Sequence, residues 1–318
     1  MSTHSAKNNS GLLQKLARLI VGSSRLRDPD DPRSRSWARQ VNSYADLPEI
    51  YSAFLGGLSS LQGQPFPYTV LTPTFKDGHG CPENERLLCS MGRDVHVLEM
   101  INGLLHTTTY PPEGISFLEW GIILLHAWIT IHGQDSEGRF QSTTLRFNSV
   151  TDHIMTPFVE RLRPVTTGDA KADLATERSR FNYLAQTHFK FMSYGRGSIR
   201  PGANVFRILL QPQIRREMLR LLGFSISRLV SPAHLTILTD SELILIRDDD
   251  SQRWTKDSPH GAIWTYVPRT KIIETSLSSA ADGTQLLSID LPGDLRIQAL
   301  FDGSQGLDLE QMLHDLKP

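Results

Sequence analysis

The chain has 318 residues, 39% of them hydrophobic and 21% charged. That is enough apolar material for ordinary cores and too little polarity for general disorder. At a formal net charge of −1, bulk attraction to nucleic acid is excluded, and no run of about 18 uncharged apolar residues marks a membrane-spanning helix.

Length predicts two domains, since domains usually run about 100–200 residues. The charge is uneven along the chain. Residues 1–40 hold Lys7, Lys15, Arg18, Arg25, Arg27, Arg33, Arg35 and Arg39 against Asp28, Asp30 and Asp31, a net +5 that leaves −6 for the remainder. We read residues 1–45 as a basic N-terminal tail. Within it, Leu13, Leu16, Ala17 and Ile20 repeat as one face of a short amphipathic helix over Leu12–Val21. Lys15 and Arg18 interrupt that stretch, which a secretory signal core does not tolerate, so the cytoplasm is the default location. Residues 22–40, rich in Ser, Arg, Asp and Pro, have the composition of a tether. Cys81 and Cys89 are the two cysteines, too few for a secreted disulfide framework, and are expected as free thiols.

From Tyr68 the apolar pattern takes a strand period. Strands are expected at Tyr68–Phe75, Arg86–Met91, Val95–Ile101, Leu104–Tyr110, Ile115–Trp120, Ile122–His132 and Phe140–Phe147, punctuated by Lys76-Asp77-Gly78, Asn102-Gly103, Pro111-Pro112 and residues 135–138. Asn102-Gly103 between apolar runs is a hairpin signal. On Ile122–His132 the odd positions Ile123, Leu125, Ala127, Ile129 and Ile131 should face a core. Met155, Phe158, Val159 and Leu162 then define a helix that starts near Asn148-Ser149 and stops before Pro164.

The first domain is thus predicted over 46–164, a linker over 165–175 and a second domain over 176–318. A helix is expected from Leu174 to Ser193, then strands at Ala203–Gln211, His234–Leu238, Glu242–Arg247, Ala262–Val267, Lys271–Leu277, Gln285–Leu291 and Leu295–Phe301. The last helix, Gly306–Leu316, carries Leu309, Met312, Leu313 and Leu316 on one face.

About seven strands followed by one amphipathic helix therefore occur twice. This order resembles that of pleckstrin-homology-like and GRAM-like domains. Two stretches, Ile115–Phe147 and Leu235–Arg247, are similar to segments of bacterial proteins of that kind, the second (LTILTDSELILIR) to their early hairpin. The resemblance implies a mainly β, α+β chain of two tandem, seven-stranded, partly open β-barrels, each capped by a C-terminal helix. It implies a binding or scaffolding module and carries no catalytic residue over.

Chemical motifs are sparse. His96, His106, His126, His132 and His153 lie with Glu99 and Glu119 in the first domain. His126 and His132, six residues apart, would stand roughly 20 Å apart on one strand, too far to share an ion, and no metal or other cofactor is expected. There is no G-x-S-x-G, H-E-x-x-H or C-x-x-C, and no catalytic residue is assigned. Residues 193–200 (SYGRGSIR) read as a Gly-rich basic loop, with Arg196 and Arg200 as anion contacts. Residues 213–229 (QIRREMLRLLGFSISRL) read as an amphipathic connector helix. Its Arg215, Arg216, Arg220 and Arg228 suit a phosphate or carboxylate. Trp264 and Tyr266 alternate with Ile263 and Val267 on a strand, and with Trp128 they make a candidate interaction patch.

The function expected from this is a non-enzymatic scaffold that binds a protein partner. The alternative is peripheral attachment to an anionic membrane surface through Leu12–Val21 and Arg215–Arg228. An enzyme without a recognisable motif is third, and there is no strong nucleic-acid signal.

Overall fold

A computed structural model describes residues 36–57, 66–76, 82–164, 173–221, 224–249 and 261–316. The expected helix Leu12–Val21, Cys81 and the linker core 165–172 lie outside the described residues. In chain order the elements are β1 (Arg39–Val41), α1 (Glu49–Gly57), β2 (Tyr68–Thr72), the two-residue strands β3 (Phe75–Lys76) and β4 (Pro82–Glu83), β5 (Arg86–Met91), β6 (Asp94–Ile101), β7 (Leu104–Tyr110), β8 (Ile115–Ile123), β9 (His126–Gln134), β10 (Phe140–Asn148) and α2 (Asp152–Leu162). Then come α3 (Leu174–Ser179), α4 (Phe189–Ser198), β11 (Val205–Gln211), β12 (Ile214–Leu221), β13 (Phe224–Ser231), β14 (His234–Thr239), β15 (Glu242–Arg247), β16 (Ala262–Pro268), β17 (Glu274–Ser279), β18 (Gln285–Leu291), β19 (Leu295–Phe301) and α5 (Gly306–Leu316).

The protein is mainly β, and its strands pair antiparallel. A five-stranded sheet runs β1-β2-β5-β6-β7, and a seven-stranded sheet runs β10-β9-β8-β16-β15-β14-β11. A three-stranded sheet (β17-β18-β19) and the hairpins β12–β13 and β3–β4 complete the set. None of these sheets closes into a barrel. The seven-stranded sheet takes β8, β9 and β10 from the segment 46–164 and the other four strands from 176–318. The joint is β8 against β16, with Trp120 opposite Trp264. Residues from Trp37 onward form one compact unit. Both joint strands are buried over most of their length, the pattern of strands covered on two sides.

Three cores follow from this layering. On one face of the seven-stranded sheet, Met155, Phe158, Val159 and Leu162 of α2 and Phe191 and Met192 of α4 bury against Trp120, Ile129, Ile131, Phe147, Ile244 and Trp264. The same core takes Val70, Leu88, Val95, Val97 and Tyr110 from the five-stranded sheet. That sheet's other face is covered by Tyr51 and Leu55 of α1, which meet Leu87, Cys89 and Leu98. On the far face of the seven-stranded sheet, Leu238, Leu243 and Val267 meet Leu287, Ile289 and Phe301 together with Leu309, Met312 and Leu316 of α5. Leu313 is only partly buried there. Leu313→Ala should accordingly cost less than the ~2–5 kcal/mol of a fully buried leucine. A urea titration showing a loss at the top of that range would place Leu313 in the core.

Three expected elements are corrected. The run Ile122–His132 is not one strand. β8 ends at Ile123 and β9 begins at His126, and the tip residues Leu124 and Leu125 are 58% and 60% exposed. Leu124 takes φ +54°, where an Asn or Gly would have announced the turn. Ala127, Ile129 and Ile131 face the core as the alternation requires; Ile123 and Leu125 do not, and Ile122 packs against that core in place of Ile123.

The expected helix Leu174–Ser193 is broken into α3, a 3-10 turn at Asn182–Leu184 and α4. α4 continues through Ser198 and takes in residues 193–198 of the stretch read as a Gly-rich loop. A Cβ on Gly195 would stand 2.6 Å from the Phe181 ring and 2.9 Å from Leu235. The glycine is there for close packing, which overrides its poor helix propensity.

The expected connector helix over Gln213–Leu229 is the hairpin β12–β13. Arg, Glu, Met and Leu favour a helix locally, but a paired neighbour strand satisfies the same backbone groups, and tertiary context decides. Sequence reading also passed over β1 and α1, the former because Arg39 lay in a stretch of tether composition.

Candidate functional site

The joint between β8 and β16 places two tryptophans side by side, facing α2 and α4. Trp120 and Trp264 are each 8% exposed, and the Tyr194 ring of α4 lies against Trp264 at 4.9 Å between centroids. Tyr266, two residues along β16, continues the same face. These four rings line a surface cleft of about 280 Å³ with Asp152 and Glu160 of α2 at its margin. The cleft exists because α2 and α4 cross the same sheet face, where small residues of α4 (Ser193, Gly197, Ser198) border it.

One end of the cleft is fixed by a buried ion pair. Arg163, the residue that caps α2, gives Nη2 to Glu242 Oε1 at 2.5 Å and Nε to Oε2 at 3.2 Å. Nη2 also donates to the Ser198 carbonyl at 2.8 Å, and Nη1 to Glu160 Oε1 at 3.3 Å. The guanidinium sits 4.1 Å over the Tyr266 ring, a cation–π contact. Both partner side chains are almost wholly buried. Burial alone would lower the Arg163 pKa, and the facing Glu242 carboxylate reverses this and raises it. The Tyr266 phenol is pushed up to about 12, first by burial, with Arg163 opposing. Its proton is therefore held well above neutral pH. Glu160 also holds Arg200 Nε at 3.1 Å.

A second cleft, of about 440 Å³, opens on the other side of Arg163. The β5–β6 turn contributes Arg93, the last turn of α2 contributes Arg161, and the segment after β16 contributes Thr270 and Lys271. Glu113 is the carboxylate on its rim. Sequence reading missed all of these cations, because three chain-distant segments meet only in the fold.

The residues singled out from sequence separate into different places. Trp264 and Tyr266 are on the aromatic cleft. Trp128 is not with them: it pairs with Gly121, which pairs with Ile263, so it lies on the opposite face of the sheet. There its indole covers Gly121, where a Cβ would stand 2.2 Å from the ring, and its Nε1 donates to Glu119 at 2.8 Å.

Arg215 and Arg216 lie on β12, with Arg216 directly across from Arg228 and Arg220 across from Ser225. Arg216 pairs with Asp282, and Arg215 Nε donates to Ser227 Oγ at 3.3 Å. Arg216 and Arg220 are four positions apart on a strand, roughly 13 Å. Arg196 is exposed on α4. Arg200 follows it and donates to the Pro164 carbonyl at 2.6 Å. Four of the six arginines therefore sit on the β12–β13 hairpin, Arg196 on α4 and Arg200 two residues past its end. Among the described side chains, no hydrogen bond or ion pair joins Arg215, Arg216 or Arg228 to Arg196 or Arg200.

No helix among the described residues is long and apolar enough to cross a membrane. No protein-family model and no curated protein matches the chain, so the functional reading rests on geometry.

Proposed function

We infer that the chain is a non-enzymatic interaction module that binds a protein partner through the aromatic cleft between α2 and α4. In this reading residues 46–164 and 176–318 are two tandem pleckstrin-homology-like units fused through a common sheet. The repeated order, β2–β10 then α2 and β11–β19 then α5, supports it. The observation that carries the binding role is the cleft itself. Trp and Tyr are the side chains that most often anchor protein interfaces; here the buried rings of Trp120, Trp264 and Tyr266 make a fixed floor, and Tyr194, partly exposed against Trp264, is the ring a partner reaches. The membrane reading has less support: Arg216 is engaged by Asp282, and the basic connector helix it rested on is a hairpin.

A photo-crosslinker at Ser193, which is exposed at the margin, should join the protein to a partner in extract of its own host. Tyr194→Glu should reduce that adduct by ~30-fold or more, the loss of one interface hot spot, while Tyr194→Phe, which keeps the ring against Trp264, should leave it in place. An adduct that is absent, or that survives Tyr194→Glu unchanged, rules the cleft out as the docking site.

A further inference from the structure

We propose that the second cleft, beside Arg163 and opposite the aromatic one, is a binding site for a dianionic phosphate group carried by a small soluble molecule. Its charge is the first argument. Arg93 approaches Glu113 only to 3.7 Å, with both side chains more than two-thirds exposed. Arg161 donates to the Gly92 carbonyl, and Lys271 has no hydrogen bond or ion pair among the described residues. The Arg163 charge on the cleft wall is spent on Glu242. Three cations and one carboxylate leave a net +2, the complement of a phosphate monoester. Like charges gathered in one concavity repel until an anion sits between them.

The shape is the second argument. Pro112, Pro164 and Pro268 form part of the wall. Their rings fix the backbone, so little ordering is needed on binding. The cleft's 440 Å³ lies in the ordinary range for small-molecule pockets, ~300–1,000 Å³, and exceeds what a bare oxyanion fills. Guanidinium forks take two phosphate oxygens at once, and an ammonium takes the remaining charge. Thr270, also on the wall, adds a hydroxyl donor. The end of α2 holds Arg161 in place, since its last carbonyls favour a cation. This site does not depend on the aromatic cleft.

Calorimetric titration of the full chain at low ionic strength tests it, with ribose 5-phosphate, inorganic phosphate and ribose as probes. Ribose 5-phosphate should saturate one site, inorganic phosphate should compete with it, and ribose should give no heat. Arg93→Gln and Lys271→Gln should each weaken binding by ~10-fold, the loss of one charge-assisted hydrogen bond. Both residues lie at the surface, so thermal midpoints should stay put. No saturable heat from either phosphate, or unchanged binding by Lys271→Glu, overturns the proposal. A companion sedimentation assay uses phosphatidylcholine vesicles carrying phosphatidic acid. If these capture the protein while both soluble phosphates fail, the cleft reads a membrane surface and the soluble-ligand assignment is wrong.

Discussion

Glu242→Ala should cost the fold about 3–5 kcal/mol, because it strands the Arg163 guanidinium in the interior without its counter-charge. The side chains of Arg163 and Glu242 are 2% and 1% exposed, so water cannot replace the lost carboxylate. Two hydrogen bonds to Glu242 go with it, and those to Ser198 and Glu160 remain. The pair also ties the end of α2 to the start of β15, across the interval 165–172. Guanidinium chloride unfolding at neutral pH measures the loss. The double variant Arg163→Met with Glu242→Leu should recover most of it, since an apolar pair of similar volume is often as stable as a buried ion pair. A single variant within about 1 kcal/mol of the native protein would mean that the pair is hydrated in solution.

Acid should weaken the protein through His234. Burial lowers its pKa from 6.5 to about 4; Arg247 acts in the same direction, and a hydrogen bond to the Pro232 carbonyl opposes it. The ring stacks edge-on against Phe301 at 4.8 Å, and its Nε2 is buried without a partner. The folded state therefore prefers the neutral imidazole, and the unfolded chain takes up a proton first. Stability from this group is complete above pH 6.5 and is lost as the pH falls to about 4, about 3 kcal/mol in all. Urea midpoints measured across that window should drop more in the native protein than in His234→Gln, which keeps a donor for Pro232 and cannot titrate there. Parallel slopes for the two proteins would assign the acid sensitivity to other groups.

Local periodicity was legible wherever one segment decided its own structure. Arg86–Met91, Leu104–Tyr110, Glu242–Arg247, Gln285–Leu291, Leu295–Phe301 and Gly306–Leu316 appear with the bounds their patterns predict. The failures have a common physical origin in contacts from elsewhere in the chain. Leu124-Leu125 turns without any turn residue, because the β8–β9 ladder on either side imposes the reversal. Gly195 stays helical because Phe181 and Leu235 press on it. The arginines of 213–229 lie on the two strands of a hairpin because β13 pairs with β12. The candidate sites were half legible. Trp264 and Tyr266 stood out by composition, but their companions Trp120 and Tyr194 come from other segments. The cations of the phosphate cleft carry no local signature at all.

The strand joint has a consequence for how the protein is made. Trp120 finds its partner Trp264 only after 144 further residues have been synthesised. At ~5–20 residues per second, β8 leaves the ribosome on the order of ten seconds before β16. Throughout that interval it presents an apolar strand edge with nothing to pair with, the feature most prone to edge-to-edge association. The nascent chain thus passes through a stage at which its N-terminal half is translated but cannot finish folding. A chaperone that shields β8 during that stage would act at the most aggregation-prone point of biosynthesis.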